Sequence, residues 1–174
     1  KRFTLLLTIA LCASIFIQAQ NARTIITNPG FGEGLDGWWT IGEDNIALSI
    51  DETNPITGIK TAHIKVLVEA ENYFESGIYW GFNTPTDATY NLRFKAKASS
   101  PGDIKIEISE WHGPDFKLLG SSEVASLTTE SQEFEFDFSG THPAKGRMAL
   151  NFFIGDMAVN DEVWIDDVIL TETA

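Results

Sequence analysis

Polar and apolar residues alternate along most of this chain, and the period of the alternation is two. Tyr90, Leu92, Phe94, Ala96 and Ala98 interleave with Asn91, Arg93, Lys95 and Lys97. Ile104, Ile106 and Ile108, interleaved with Lys105, Glu107 and Ser109, follow the turn-forming Ser99-Ser100-Pro101-Gly102-Asp103. Phe134, Phe136 and Phe138 alternate with Glu133, Glu135 and Asp137, and Met148, Leu150, Phe152 and Ile154 with Ala149, Asn151 and Phe153. A strand turns successive side chains to opposite faces, so this period marks strands with one buried face. Further strands are expected over 46–51, 61–70, 73–82 and 163–170. The runs 90–98 and 104–109 read as a hairpin, and no segment carries a helical pattern. Nine or ten such strands joined by Gly, Pro, Asn and Asp turns predict an all-β fold, a two-sheet antiparallel β-sandwich with jelly-roll topology.

Two stretches break the alternation. Asn28-Pro29-Gly30-Phe31-Gly32-Glu33-Gly34-Leu35-Asp36-Gly37-Trp38-Trp39 holds four glycines and a proline, so it forms an ordered loop that carries three large aromatics inward or outward. At the far end, Val163-Trp164-Ile165-Asp166-Asp167-Val168-Ile169-Leu170 is a strand with two adjacent acids inside an apolar run. Together they resemble the N-x-x-F-E-x-G-x-x-G-W opening and the I-D-D-V ending of the carbohydrate-binding modules of the family 4/9/22 group, which are galactose-binding-like β-sandwiches. The resemblance spans nearly all of residues 20–174. It implies that the two ends lie side by side and that the chain binds polysaccharide without catalysing its cleavage.

Lys1-Arg2 and the apolar run 3–17, closed by Gln18 and the small Ala19, read as a secretory signal peptide over 1–19. The run is too short for a membrane span. Residues 20–174 then form one module, expected to act as a monomer in the periplasm, at the cell surface or outside the cell. Cys12 is the sole cysteine and falls in the signal, which excludes disulfides, thiolate metal sites and a Cys nucleophile from the module. Of the 12 basic residues, removal of Lys1 and Arg2 leaves 10 against 25 acids, a net charge of −15. That balance excludes nucleic acid and anionic membrane as partners and favours neutral polymers and cations.

The resemblance implies a structural calcium ion between the chain ends. Asp166 carries over as its carboxylate ligand, and Gly30 and Lys60 as main-chain oxygen ligands. Gly32 stands where the family usually has Glu after Phe31, and the nearest acid is Glu33. Calcium takes six to eight oxygens, and glycine turns expose carbonyls readily. Without it, the two acids would only cap or bulge a strand.

Sugar rings pack their C–H faces on exposed aromatic rings, while nearby polar groups bond the hydroxyls. Along 73–82, Tyr73, Glu75 and Tyr79 share one face with Gly77 and Gly81, whereas Phe74, Ser76, Ile78, Trp80 and Phe82 share the more apolar one. The first face is expected to look outward over a surface kept low by its glycines. By resemblance, Tyr73 falls where the family often has a stacking Trp, and Ser76 where it often has Gln. Trp111, in the turn-rich Glu110-Trp111-His112-Gly113-Pro114-Asp115-Phe116, and Trp39 are further candidate platforms; Trp38 and Trp164 belong to the core or its rim. The carbohydrate-binding set is therefore Tyr73, Glu75, Tyr79, Trp111 and Trp39.

Glu133, Glu135 and Asp137 form a row of acids of the kind a jelly-roll glycoside hydrolase uses, although the Glu-x-Asp-x-Glu order is absent. None of His63, His112 and His142 sits in a nucleophile, zinc or phosphate-loop context. Ser76-Gly77-Ile78-Tyr79-Trp80-Gly81-Phe82 and Leu119-Gly120-Ser121-Ser122-Glu123-Val124 also resemble the non-catalytic sandwich of arabinofuranosidase-type enzymes. The expected function is a non-catalytic module that targets an appended glycoside hydrolase to plant-type polysaccharide such as β-glucan or xylan. The alternatives are a structural accessory sandwich without glycan binding and a jelly-roll hydrolase.

Overall fold

The computed structural model describes residues 23–84, 89–111, 117–140 and 146–173, so the expected signal peptide over 1–19 and the histidines at 112 and 142 lie outside the described residues. Eleven strands are present among them: β1 (Arg23–Thr24), β2 (Trp38–Ile41), β3 (Ile46–Asp51), β4 (Thr61–Val66), β5 (Gly77–Thr84), β6 (Thr89–Ala98), β7 (Gly102–Glu110), β8 (Glu123–Leu127), β9 (Gln132–Phe138), β10 (Gly146–Phe153) and β11 (Glu162–Thr173). Sheet A runs β3-β4-β11-β6-β9, with β1 paired to β11, and sheet B runs β2-β5-β10-β7-β8. Every strand pairing among the described residues is antiparallel. The fold is an all-β two-sheet antiparallel sandwich.

The alternation seen in the sequence is the sandwich core. Leu92, Phe94 and Ala96 of sheet A and Ile104, Ile106, Leu150 and Phe152 of sheet B are almost wholly buried between the sheets. The Phe94 and Phe152 rings meet edge to face across the gap, with centroids 5.0 Å apart. Phe134 stacks on Phe94 at 5.2 Å and closes one side of the core.

Two expectations about strands are corrected. The runs 90–98 and 104–109 are not a hairpin: β6 pairs with β11 and β9 in sheet A, whereas β7 pairs with β10 and β8 in sheet B. The Ser99–Gly102 turn instead carries the chain across the sandwich, because both strands bury their apolar faces in the same core and a crossover does this as well as a hairpin. The expected strand 73–82 begins only at Gly77, since Tyr73–Glu75 is a single turn of 3-10 helix. Asn72 sets that turn, and Glu75 closes it by accepting hydrogen bonds from the Glu71 and Asn72 amides and from Asn72 Nδ2. The outward alternation assumed for Glu75 therefore does not apply.

The two chain ends do lie together. Ile25 donates to Leu170, and Val168 donates to the carbonyl of Pro29 at 2.8 Å. Asn28 organises the opening loop, donating from Nδ2 to Gly34 and Asp36 carbonyls and accepting from Glu33 N–H. Phe31 (φ 54) and Trp38 dive into the core with ring centroids 5.3 Å apart. Trp164 lies on the outer face of sheet A between His63 and Lys97, its indole N–H bonded to Asp51.

Candidate functional site

The outer face of sheet B carries a groove of about 630 Å³, within the range of small-ligand sites. Strand register builds its floor. Trp39 of β2 lies opposite Tyr79 of β5, Tyr79 opposite Asn151 of β10, and Asn151 opposite Glu107 of β7. Directly opposed residues in antiparallel strands point to one face. The row therefore runs across the strands, and its three inter-strand steps of ~4.8 Å span about 14 Å.

Walls rise on either side of this row. On one, the 3-10 turn sets Tyr73 and Phe74 over Phe153, with Tyr73 in edge contact with both rings at 5.3 and 5.7 Å. Lys105 Nζ lies 3.7 Å from the centre of the Tyr73 ring and also pairs with Asp156, so one face of that ring is covered. On the other side stand Trp111 and Leu118. Gly81 makes room for Trp111: a Cβ there would come within 2.9 Å of the indole ring. The Trp111 N–H of the backbone is bonded to the Arg147 carbonyl, and the Arg147 guanidinium packs 3.9 Å from the ring centre. Tyr79 leans against Trp111, with centroids 5.8 Å apart at 58°.

Burial pushes the Tyr79 phenol above the ordinary tyrosine pKa, and the nearby Arg147 charge offsets this in part. Tyr73 is also pushed up, first by burial, then by its hydrogen bond to Glu107 and by the negative charges of Glu107 and Asp156. Both phenols thus remain neutral well into the alkaline range.

The structure brings together Tyr73, Tyr79 and Trp111 of the expected set; Trp39, 60% exposed, lies opposite Tyr79 on the same sheet face but does not line the groove. Glu75 is not among the groove-lining residues, because it closes the 3-10 turn. Phase along 73–82 also misassigned Phe74, expected in the core but half exposed on the groove wall. Glu107, Asn151, Ser109 and Phe153 were missed as site residues, although the alternation of β7 and β10 already put them on the face away from the core.

The acids of β9 lie on the outer face of sheet A, where Glu133 lines a small pocket with Asp167, Arg93 and Lys95. Glu133 pairs with Arg93, while Glu135 and Asp137 both accept from Asn91 Nδ2 across the outer face of sheet A. They form a solvated ladder on an edge strand.

Asp166 is fully buried at a bulge where the β11 register shifts and Asp167 takes φ 50. Its Oδ2 accepts from Thr57 N–H, Thr57 Oγ1 and Thr61 Oγ1 at 2.8–2.9 Å, and its Oδ1 accepts from Asp167 N–H. Gly30 packs against Asp166 Oδ1 and Asp167 Oδ1, and Asp167 Oδ2 is held by Lys95 at 2.9 Å. Glu33 is exposed and Lys60 pairs with Glu52. No group of three or more acidic, His or Cys side chains gathers to hold a metal among the described residues. Only two carboxylate oxygens face the Gly30 turn, short of the oxygen-rich shell calcium takes, and four protein donors already compensate the burial of Asp166. Side chains alone do not make up a calcium shell here, and the Gly30 and Lys60 main-chain oxygens would have to complete one. Chelator addition tests this: a fall in melting temperature that calcium reverses would show such a site, and an unchanged melting temperature would leave Asp166 as a hydrogen-bonded anchor only.

Comparison with solved structures shows the same two-sheet sandwich fold in carbohydrate-binding modules. The chain superposes on a CBM4 module with a TM-score of 0.64 at 18% identity, covering 87% of this chain and 95% of that one. It is similar to part of the chain in the Clostridium thermocellum xylanase 10B CBM22-1–GH10 structure complexed with xylohexaose (TM-score 0.65, 17% identity, 87% of this chain and 29% of that one). It is also similar to an arabinose-bound GH51 α-L-arabinofuranosidase (TM-score 0.63, 14% identity, 86% of this chain and 26% of that one). No family model and no curated protein matches the sequence.

Proposed function

We propose that the chain is a non-catalytic carbohydrate-binding module that holds a linear polysaccharide in the groove of sheet B. The observation that carries this reading is the Tyr79–Trp111 pair, a shelf of two rings whose indole is seated in the space that Gly81 leaves. One pyranose per inter-strand step of ~4.8 Å would seat roughly three rings between Trp39 and Glu107. C–H faces would pack on Tyr79, Trp111 and the exposed Trp39, and Glu107 and Asn151 would bond hydroxyls. A plant-type β-glucan, xylan or related hemicellulose is the favoured class, since the CBM22-1–GH10 structure similar to this chain holds xylohexaose. By raising the local concentration of polymer, the module would serve an appended glycoside hydrolase, outside the cytoplasm if residues 1–19 act as the signal they resemble.

The arabinofuranosidase likeness supports a second reading, a sandwich that only braces a catalytic domain. Affinity electrophoresis through gels containing β-glucan, xylan or arabinoxylan separates the two. The binding module is expected to be retarded by at least one polymer, and Tyr79→Ala, folded by circular dichroism, to lose that retardation. A folded protein that no polymer retards would favour the bracing role.

A further inference from the structure

The polar floor of the groove has a chemical sense of its own. Glu107 and Asn151 are cross-strand partners, each only 5% exposed, in a groove otherwise walled by aromatic and aliphatic groups. Both N–H bonds of Asn151 are spent inside the protein, on Ser109 Oγ at 2.9 Å and on the Ala149 and Glu107 carbonyls at 3.1 and 3.4 Å. The two carbonyl contacts fix the amide orientation, so Oδ1 is the atom left to the groove. Glu107 Oε1 accepts the Tyr73 hydroxyl at 2.9 Å. Among the described residues its Oε2 meets no hydrogen-bond donor, and Glu107 and Asn151 both line the groove. The cation nearest along β7, Lys105, is occupied by Asp156 and the Tyr73 ring, and Arg147 is stacked on Trp111. Ser109 and Tyr79, whose hydroxyls donate as well as accept, flank the pair on adjoining positions.

We infer that Glu107 Oε2 and Asn151 Oδ1 form an acceptor pair that reads two adjacent free hydroxyls on one sugar ring, and that the groove rejects rings acylated, etherified or oxidised to a carboxylate at those positions. This rests on the groove being the glycan site. Opposed Cβ atoms in such a pair lie about 4.5–5.5 Å apart, which suits vicinal hydroxyls on one ring better than hydroxyls on successive rings. A free hydroxyl supplies the proton each acceptor lacks. An O-acyl or O-methyl group supplies none and leaves a buried carboxylate oxygen without a donor, and a uronate sets two anions against each other. Sites built around a hydroxyl discriminate strongly against analogues that lack it. The ligand class is therefore a neutral glycan with an unsubstituted vicinal diol at the ring over Glu107.

The test takes whichever neutral polysaccharide retards the protein and compares it with the same polymer after O-acetylation, after mild alkaline removal of the acetyl groups, and after carboxymethylation. The expected result is retention at least tenfold weaker on the acetylated and carboxymethylated polymers, with alkali restoring it. Glu107→Gln, which keeps the shape but adds a donor, is expected to weaken binding of the parent polymer and to narrow its advantage over the carboxymethylated one. Equal retention of parent and acetylated polymers, with Tyr79→Ala still abolishing both, would overturn the diol reading and leave the groove as the site. Unchanged discrimination in Glu107→Gln would remove Glu107 from it. Retention by no polymer overturns the groove reading and this inference with it.

Discussion

Asp166→Ala is expected to destabilise the protein by about 3–5 kcal/mol, since each buried donor left without its acceptor costs roughly 1–3 kcal/mol. The substitution strands the Thr57 amide and hydroxyl, the Thr61 hydroxyl and the Asp167 amide at one stroke. It also frees the 53–60 loop, which reaches β11 through Thr57. Against a total stability of ~5–15 kcal/mol for an ordinary domain, such a loss is large. Urea unfolding measures it: the midpoint should fall with little change in slope, and Asp166→Asn, which keeps one acceptor oxygen, should fall less. An unfolding free energy within about 1 kcal/mol of wild type would mean that water replaces the carboxylate and that Asp166 is no anchor.

Phe152→Ala is the second large effect expected, about 3–5 kcal/mol by analogy with other buried Phe truncations. Phe152 is fully buried, meets Phe94 of the opposite sheet edge to face, and lies 6.2 Å from the Trp38 ring. Its removal opens a cavity where the sheets and the opening loop meet, and stiff neighbours on all three sides limit collapse. Phe152→Leu should recover most of the loss in the same denaturation experiment. Equal losses for Ala and Leu would point to ring-specific contacts, and a loss below about 1 kcal/mol for Ala would contradict the packing described.

Much of this molecule could be read from its residues, because burial on a strand leaves a period that a sequence preserves. The strand at 46–51 matched β3, the apolar phases of β6, β7, β9 and β10 named the core, and the likeness of the two ends predicted their contact. What escaped was pairing. Alternation says which face is buried and is silent on which neighbour lies alongside, so the Ser99–Gly102 turn read as a hairpin although it crosses between sheets. Tyr73 and Tyr79 were legible as aromatics that an outward face would expose, but the floor beside them was not. Glu107 and Asn151 lie 44 residues apart and become partners only through the β7–β10 register. The 3-10 turn was hidden for a related reason: Tyr73-Phe74-Glu75 alternates well enough as a strand, and the side chain that ends it reaches backward to Asn72.

The placement of β11 bears on how the molecule comes to exist. It lies between β4 and β6 in the middle of sheet A, and β1 is paired to it as well. Until Glu162–Thr173 has left the ribosome, β3-β4 and β6-β9 are two ribbons with bare edges and no common strand. Closure of β11 on β4 must join residues about a hundred positions apart, a topology that favours slow, all-at-once folding over growth from the N-terminus. Sheet A therefore stays divided until β11 is made, and those twelve residues act as the latch that commits it.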